Sequence, residues 1–227
     1  MAYNWSLNES QFTILDRLKI CSFFLNPKNK WTQDKYVKQI ESEMAKYVGC
    51  QYSVFVSSGS TANTLLAMWA KDHIYSPEKN IVVLPAVTWQ TSCSPWIREG
   101  FQPVFIDINL NNLSMDLNKL EDYLDKNYSK VATVFITTLL GFSPDIIKIK
   151  ALERKYPSIK FAMDNCEATL SDCHEFSEKG DNVSQFFTST TSTYFGHQVQ
   201  SIEGGFVFTN SLEEYVYFLM GRNHGMT

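Results

Sequence analysis

Two stretches in the C-terminal half of the chain carry side chains suited to proton transfer beside a bound anion. Residues 191–205 contain Ser192 and His197 and end in a Gly-Gly pair. A hydroxyl donates a hydrogen bond to an anion, and an imidazole takes up or releases a proton near neutral pH. Upstream, an apolar run ends in two carboxylates, Asp164 and Glu167. Strand-end carboxylates with a glycine-bearing turn nearby suit a cofactor site in an open α/β sheet.

Two motifs nearer the N-terminus fit a phosphate and a planar ring. Residues 56–63 join a strand to a helix through small residues, which leave backbone N–H groups free at the helix N-terminus. Ser60 and Thr61 add hydroxyl donors to this anion site. Trp89 follows the next strand and offers a flat indole face for stacking.

Each of these residues also has a purely structural interpretation. The segment around Ser60 fits a serine-capped turn equally well, and Trp89 fits a core position. Burying Asp164 alone is costly, so its partner is a cationic ring nitrogen, a helix N-terminus or a basic side chain. A lone loop histidine such as His197 is more often structural than catalytic. Taken one at a time, the motifs leave both interpretations open.

The composition is that of a globular protein with a large core. The 227 residues favour one domain, and 44% of them are apolar and 14% aromatic. The net charge is −4 with a pI near 5.6, and no Lys/Arg cluster stands out. We therefore expect no nucleic-acid partner.

Cysteine usage and the chain ends predict a cytoplasmic protein. The five cysteines are odd in number and form no CxxC pair, as in a reducing compartment. The N-terminus lacks a signal-peptide pattern, and no apolar run is long enough to span a bilayer. Asp172, Cys173 and His174 are adjacent but lack the spacing of a metal site, so no metal is expected.

The elements that must position these side chains alternate between strand and helix. We predict an N-terminal helical segment over residues 1–50 and a large domain over residues 51–227. The alternation predicts an α/β fold in which helices cover both faces of a mostly parallel sheet. Strands are predicted at 52–57, 81–85, 103–108, 131–137, 159–164 and 206–209, and a further short element is predicted at 184–190. Helices are predicted at 12–25, from Thr32 to Gly49, and at 61–71, 90–100, 116–125, 143–156 (with Pro144 at its first position) and 212–220.

The motifs, in this order, resemble the DegT–StrS family of nucleotide-sugar aminotransferases, which are fold-type-I pyridoxal-phosphate proteins. The resemblance implies a three-layer, aspartate-aminotransferase-like large domain with a mostly parallel central sheet. The matching segments are 58–63, 85–89, 103–107, 112–116, 164–167, 192–197, 203–205 and 222–225.

The resemblance also implies a role for each candidate residue. The cofactor phosphate would bind at Gly59, Ser60 and Thr61, with Ser192 as a further donor. Trp89 would stack on the ring. Asp164 would hold the ring nitrogen protonated, which makes the ring an electron sink, and Glu167 would lie near the cofactor hydroxyl.

One position departs from the family pattern. His197 stands where the family has its cofactor-binding lysine, and no lysine follows Lys179. The chain thereby resembles the subset of 4-keto-6-deoxy-sugar 3-dehydratases, which use noncovalent pyridoxamine phosphate in deoxysugar and surface-glycan biosynthesis. His197 would then be the catalytic base. The alternatives are a sugar aminotransferase homologue, or a noncatalytic relic that binds cofactor or a partner chain.

Length is the second departure. Subunits of this family continue past the Arg-x-His-Gly signature, here 222–225, into a small C-terminal domain. We therefore expect that small domain to be absent from this chain. The expected partners are a nucleotide-linked keto-sugar substrate and either a second copy in a homodimer or a separate C-terminal domain chain.

Overall fold

The computed structural model describes residues 12–171 and 181–226. Its helices are α1 (Ile14–Leu25), α2 (Lys35–Val48), α3 (Gly59–His73), α4 (Gln90–Arg98), α5 (Leu117–Asn127), α6 (Ile146–Lys155) and α7 (Leu212–Arg222). Its strands are β1 (Tyr52–Val56), β2 (Ile81–Pro85), β3 (Gln102–Ile106), β4 (Val131–Thr137), β5 (Lys160–Asp164), β6 (Thr188–Ser192) and β7 (Gly205–Thr209).

The strands form one sheet in the order β1-β7-β6-β5-β4-β2-β3. Strands β2 to β6 pair in parallel, whereas β7 runs antiparallel to both of its neighbours. The register aligns Thr137 of β4 with Asp164 of β5, and Asp164 with Thr190 of β6. The carboxyl ends of these strands therefore meet at one edge, where open α/β sheets bind their ligands.

Two apolar layers enclose the sheet. On β4, Val134 and Ile136 pack into one core cluster, while Ala132 and Phe135 pack into the other. All seven residues of β4 are buried. This confirms the predicted three-layer α/β fold, because a strand covered on both faces reads as a continuous apolar run.

Helices α2, α3 and α6 have an N-cap or a first residue that differs from the prediction. Ser58 caps α3, since its Oγ accepts the Thr61 N–H at 3.1 Å, so that helix starts at Gly59. Asp145 caps α6 by accepting the Lys148 N–H at 2.9 Å, which leaves Pro144 before the cap. For α2, the cap is the extended residue Asp34 and not Thr32. The predicted Asp116 cap of α5 is confirmed.

The predicted element 184–190 divides into two. A short 3-10 turn occupies Val183–Gln185, and the strand that follows, β6, continues to Ser192. Every residue of β6 is Ser or Thr, yet all five are buried. Their hydroxyls are paired inside the protein, for instance Ser189 with Ser184 at 2.7 Å.

The two N-terminal helices differ in packing. Helix α2 buries Met44, Ala45 and Val48 and packs on β1. Helix α1 begins two residues later than predicted, at Ile14, and none of its residues is buried. Its predicted apolar face therefore stays exposed, with Ile14 at 69%. The boundary near residue 50 remains a prediction.

Candidate active site

A cleft of about 770 Å³ opens at the carboxyl ends of β4, β5 and β6. It is lined by segments that are far apart in sequence: the start of α3, the β2–α4 turn, the end of β5 and the loop after β6. The structure brings together seven of the eight predicted site residues, namely Gly59, Ser60, Trp89, Asp164, Glu167, Ser192 and His197.

Thr61 is the predicted residue that does not line the cleft. Its hydroxyl pairs with the hydroxyls of Ser57 at 2.8 Å and Ser58 at 3.0 Å. Its N–H donates to the Ser58 cap. Thr61 therefore fixes the turn at the start of α3, and its expected phosphate contact remains a prediction.

The N-terminus of α3 forms a tight cradle. A Cβ on Gly59 would lie 2.8 Å from the Ser192 Cβ, and a Cβ on Gly205 would lie 2.5 Å from the carbonyl carbon of Ser58. Glycine is required at both positions because the backbone and Ser192 approach so closely. The free N–H groups of a helix N-terminus beside two serine hydroxyls suit a phosphate.

Asp164 lies at the end of β5 and is 3% exposed. Its Oδ2 accepts hydrogen bonds from Asn63 at 3.0 Å and Ser92 at 2.6 Å, and its Oδ1 accepts the Cys166 N–H at 3.2 Å. Within the described residues, no basic side chain lies within ion-pair distance of it. A buried carboxylate without a cation fits a protonated ring nitrogen, because uncompensated charge is costly to bury.

Trp89 lies on the lip of the cleft at the N-cap position of α4. Its side chain is exposed, at 71%, so the alternative of a core tryptophan is wrong. An exposed indole beside a cleft presents a flat apolar face to a planar ligand.

His197 reaches the cleft from the loop between β6 and β7. The base of this loop is pinned by the Thr193 N–H to Gly204 C=O bond at 2.8 Å, and the His197 N–H donates to the Tyr194 C=O at 2.9 Å. The Tyr194 ring lies edge-on to the imidazole, with ring centroids 6.2 Å apart. Among the described residues the imidazole has no hydrogen-bond partner, so both ring nitrogens are free to act on a ligand.

Glu167 also lines the cleft and holds a turn there. Its Oε2 accepts the Leu140 N–H at 2.6 Å. Leu140 has φ 53°, a left-handed conformation that is uncommon for leucine. One carboxylate oxygen of Glu167 thus fixes this turn.

Some residues of the site were missed by sequence reasoning. Asn63 and Ser92 hold Asp164, and Cys166, Tyr194 and Gln198 line the cleft. Asn63 lies four residues after Gly59 on the same helix, which places it on the same face and was the signal that could have identified it. Desolvation by the surrounding protein raises the pKa of the Cys166 thiol well above its usual value, and the charge of Asp164 adds to this.

The described residues also bear on the expectations about metal sites and membrane spans. No group of His, Cys, Asp and Glu in residues 12–171 and 181–226 is arranged to hold a metal ion. The adjacent Asp172, Cys173 and His174 lie outside the described residues. In the described part of the chain, the helices are too short or too polar for one of them to cross a bilayer.

The fold and the cleft define a large domain of the aminotransferase type. Residues 24–227 match the DegT/DnrJ/EryC1/StrS aminotransferase family, and the chain belongs to this family. This confirms the family predicted from the motifs.

Relatives of known activity match most of this chain and about half of their own length. It is 34% identical over 203 residues to the GDP-4-keto-6-deoxy-D-mannose 3-dehydratase of Yersinia pseudotuberculosis, covering 88% of this chain and 49% of that enzyme. The structure of the E. coli GDP-4-keto-6-deoxy-D-mannose 3-dehydratase with bound hydrated PLP superimposes with a TM-score of 0.85 at 29% identity, covering 99% of this chain and 56% of that one. The Helicobacter pylori aminotransferase PseC superimposes with a TM-score of 0.86 at 20% identity, covering 99% and 57%, which supports the fold.

Proposed function

We propose that this chain is the cofactor-binding large domain of a nucleotide-sugar 3-dehydratase that uses pyridoxamine or pyridoxal phosphate. The observation that carries the proposal is that His197 and Asp164 line the same cleft. Among the described residues, no lysine lines that cleft. Relatives named GDP-4-keto-6-deoxy-D-mannose 3-dehydratase support it. A GDP-linked 4-keto-6-deoxy sugar is the substrate we infer.

The residues fit the cofactor without a covalent anchor. Gly59, Ser60 and Ser192 would hold its phosphate, Trp89 would cover its ring, and Asp164 would meet the ring nitrogen. When bound, the cofactor supplies an amine for the keto sugar and a ring that withdraws electrons. The protein supplies the orientation, the anion site and the proton transfer.

His197 is the group that moves the proton. Its imidazole is half-buried in the cleft wall, and histidine is the side chain that most often acts as a general acid or base. It can take a proton as a base and return it to a leaving hydroxyl as an acid. A histidine does not replace lysine as a covalent anchor, so the aminotransferase alternative is not favoured.

The charge of the cleft supports a second contributor to the site. Asp164, Glu167 and Glu203 line it, and no lysine or arginine of the described residues does. A sugar nucleotide and a cofactor phosphate are both anionic. We infer that cationic side chains come from a second copy of the chain or from a separate C-terminal chain. Sedimentation at increasing protein concentration, with and without pyridoxamine phosphate, tests the second copy.

We also infer that the chain acts in the cytoplasm. Cys21, Cys50, Cys93 and Cys166 are free thiols in the structure, as expected in a reducing compartment. Detection of the protein in fractionated cells tests this.

The central experiment separates cofactor binding from turnover. The purified chain is mixed with pyridoxamine phosphate, then with a GDP-linked 4-keto-6-deoxy sugar, and loss of the 3-hydroxyl is followed by mass spectrometry. We expect turnover that His197→Asn abolishes while cofactor affinity is kept. Cofactor binding with equal turnover in both proteins would refute the role of His197.

A gain-of-function variant tests the position of His197 independently. His197→Lys should bond covalently to pyridoxal phosphate, so that borohydride reduction attaches the cofactor mass to residue 197. The unaltered chain should release all of its cofactor under the same treatment. No attachment in His197→Lys would mean that residue 197 does not face the cofactor.

A further inference from the structure

We propose that Asn63 and Ser92 are positioning residues that fix one carboxylate oxygen of Asp164 and leave the other for a ring nitrogen. The proposal rests on the proposed function. Oδ2 of Asp164 accepts from Asn63 Nδ2 at 3.0 Å and from Ser92 Oγ at 2.6 Å. Oδ1 accepts the Cys166 N–H at 3.2 Å, and the Cys166 thiol also interacts with this carboxylate. Because each carboxylate oxygen has about two accepting sites, Asn63 and Ser92 fill Oδ2. A thiol is only a weak donor, so Oδ1 is the oxygen that can accept a further strong donor.

The amide of Asn63 cannot turn over in this network. Its Oδ1 accepts the Thr190 hydroxyl at 2.6 Å, and its Nδ2 also donates to the Thr91 C=O at 3.1 Å. A flipped amide would set its oxygen against two acceptors, the Thr91 carbonyl and the Asp164 carboxylate. Asn63 and its partner Thr190 are both buried. The donor to Asp164 is therefore held in one orientation.

The two donors also tie together the elements that carry the other cofactor contacts. Asn63 lies one turn into α3, whose first residue is Gly59 in the anion cradle. Ser92 lies three residues after Trp89 on α4. The cradle, the stacking tryptophan and the ring-nitrogen carboxylate are thus linked at one oxygen atom, Oδ2 of Asp164.

A carboxylate fixed in this way is prepared for its ligand. The Asp164 carboxylate is already buried, and two neutral donors, Asn63 and Ser92, satisfy Oδ2 as solvent would. It loses no rotamer freedom when a cation meets Oδ1. Loss of one hydrogen bond to a charged group should weaken binding of the ring nitrogen about tenfold.

The test compares two ligands that differ only at the ring nitrogen. One is pyridoxamine phosphate, and the other is its carbocyclic analogue with a C–H in place of that nitrogen. Affinities of Ser92→Ala and Asn63→Ala are measured from the quenching of tryptophan fluorescence. The matched control is Ser189→Ala, which removes a buried serine hydroxyl that pairs with Ser184 outside the cleft.

We expect Ser92→Ala and Asn63→Ala to bind pyridoxamine phosphate about tenfold more weakly and the analogue with unchanged affinity. Ser189→Ala should bind both ligands like the unaltered chain. A merely structural role would weaken both ligands equally, and that result would overturn the proposal, as would an unchanged affinity for pyridoxamine phosphate. Failure of the unaltered chain to bind pyridoxamine phosphate would instead overturn the proposed function, and this inference with it. Should Asn63→Ala not fold, Ser92→Ala decides the matter alone, since it deletes a single hydroxyl.

Discussion

Breaking the ion pair between Glu41 and Arg222 should lower the free energy of unfolding more than breaking an exposed pair, because both side chains are largely buried. Their side chains are 11% and 12% exposed, and Arg222 Nη1 donates a hydrogen bond to Glu41 Oε1. Both also bind the edge strand β1, because Glu41 accepts the Phe55 N–H at 2.8 Å and Arg222 donates to the Phe55 C=O at 3.0 Å. The pair thus satisfies both backbone groups of Phe55 on the outer side of the edge strand.

The expected cost follows from what each substitution leaves behind. Arg222→Met leaves a nearly buried carboxylate whose remaining partner there is the Phe55 N–H. Breaking a buried pair by removing one partner costs about 3–5 kcal/mol of the free energy of unfolding. Glu41→Leu should cost a similar amount, since it leaves the guanidinium uncompensated. The double variant leaves no charge, and only the polar groups of Phe55 unpaired, so it should cost less than the sum of the two singles.

Urea unfolding of the unaltered chain, the two single variants and the double variant measures the coupling free energy between Glu41 and Arg222. The control is the exposed pair of Lys119 and Asp107, whose nitrogen and oxygen are 2.8 Å apart but whose side chains are 54% and 64% exposed. Asp107→Asn should leave the urea midpoint unchanged, because solvent screens an exposed pair. Additive single effects, or equal losses for the buried and exposed pairs, would refute the argument from burial.

Two further predictions concern the cleft. Gly205→Ala should lower the free energy of unfolding by about 1–3 kcal/mol and weaken pyridoxamine phosphate binding, because its Cβ would meet the backbone of Ser58. Thermal melts measure the loss of stability. The control is Gly221→Ala, whose Cβ would meet only the end of a side chain and should therefore cost less. Burial raises the pKa of the Cys166 thiol, so iodoacetamide at pH 8 should modify the exposed Cys21 first; mass spectrometry showing equal rates in the native protein would contradict this.

The sequence predicted best those elements whose pattern depends on burial alone. Strands β2 and β4 have the predicted bounds, Ile81–Pro85 and Val131–Thr137, because continuous apolar runs end at turn residues. Helix starts were harder, since several polar residues stand near each one and only local geometry selects the cap. Strand β6 was ended too early because a run of Ser and Thr resembles a loop unless its buried hydroxyl partners are known.

Sequence reasoning found residues that line the cleft more readily than residues that hold another side chain in place. The roles assigned to Gly59, Asp164 and His197 remain predictions, but the three residues do line one cleft. Thr61 does not line the cleft, because its hydroxyl has a local partner in Ser58, one turn back. The hydrogen bond from the Leu140 N–H to Glu167 involves a leucine in the left-handed conformation, which the sequence pattern does not predict.

The antiparallel direction of β7 explains why His197 lies in the cleft at all. A parallel strand after β6 would require a crossover that carries the chain to the opposite end of the sheet. Because β7 is antiparallel, the loop 193–204 starts and finishes at the edge where Asp164 ends its strand. The same pairing sets Gly205 opposite Ser192 on one side and Val56 on the other, immediately before the anion cradle. The reversal of one strand thus brings an imidazole, a serine hydroxyl and a helix N-terminus to a carboxylate on the neighbouring strand.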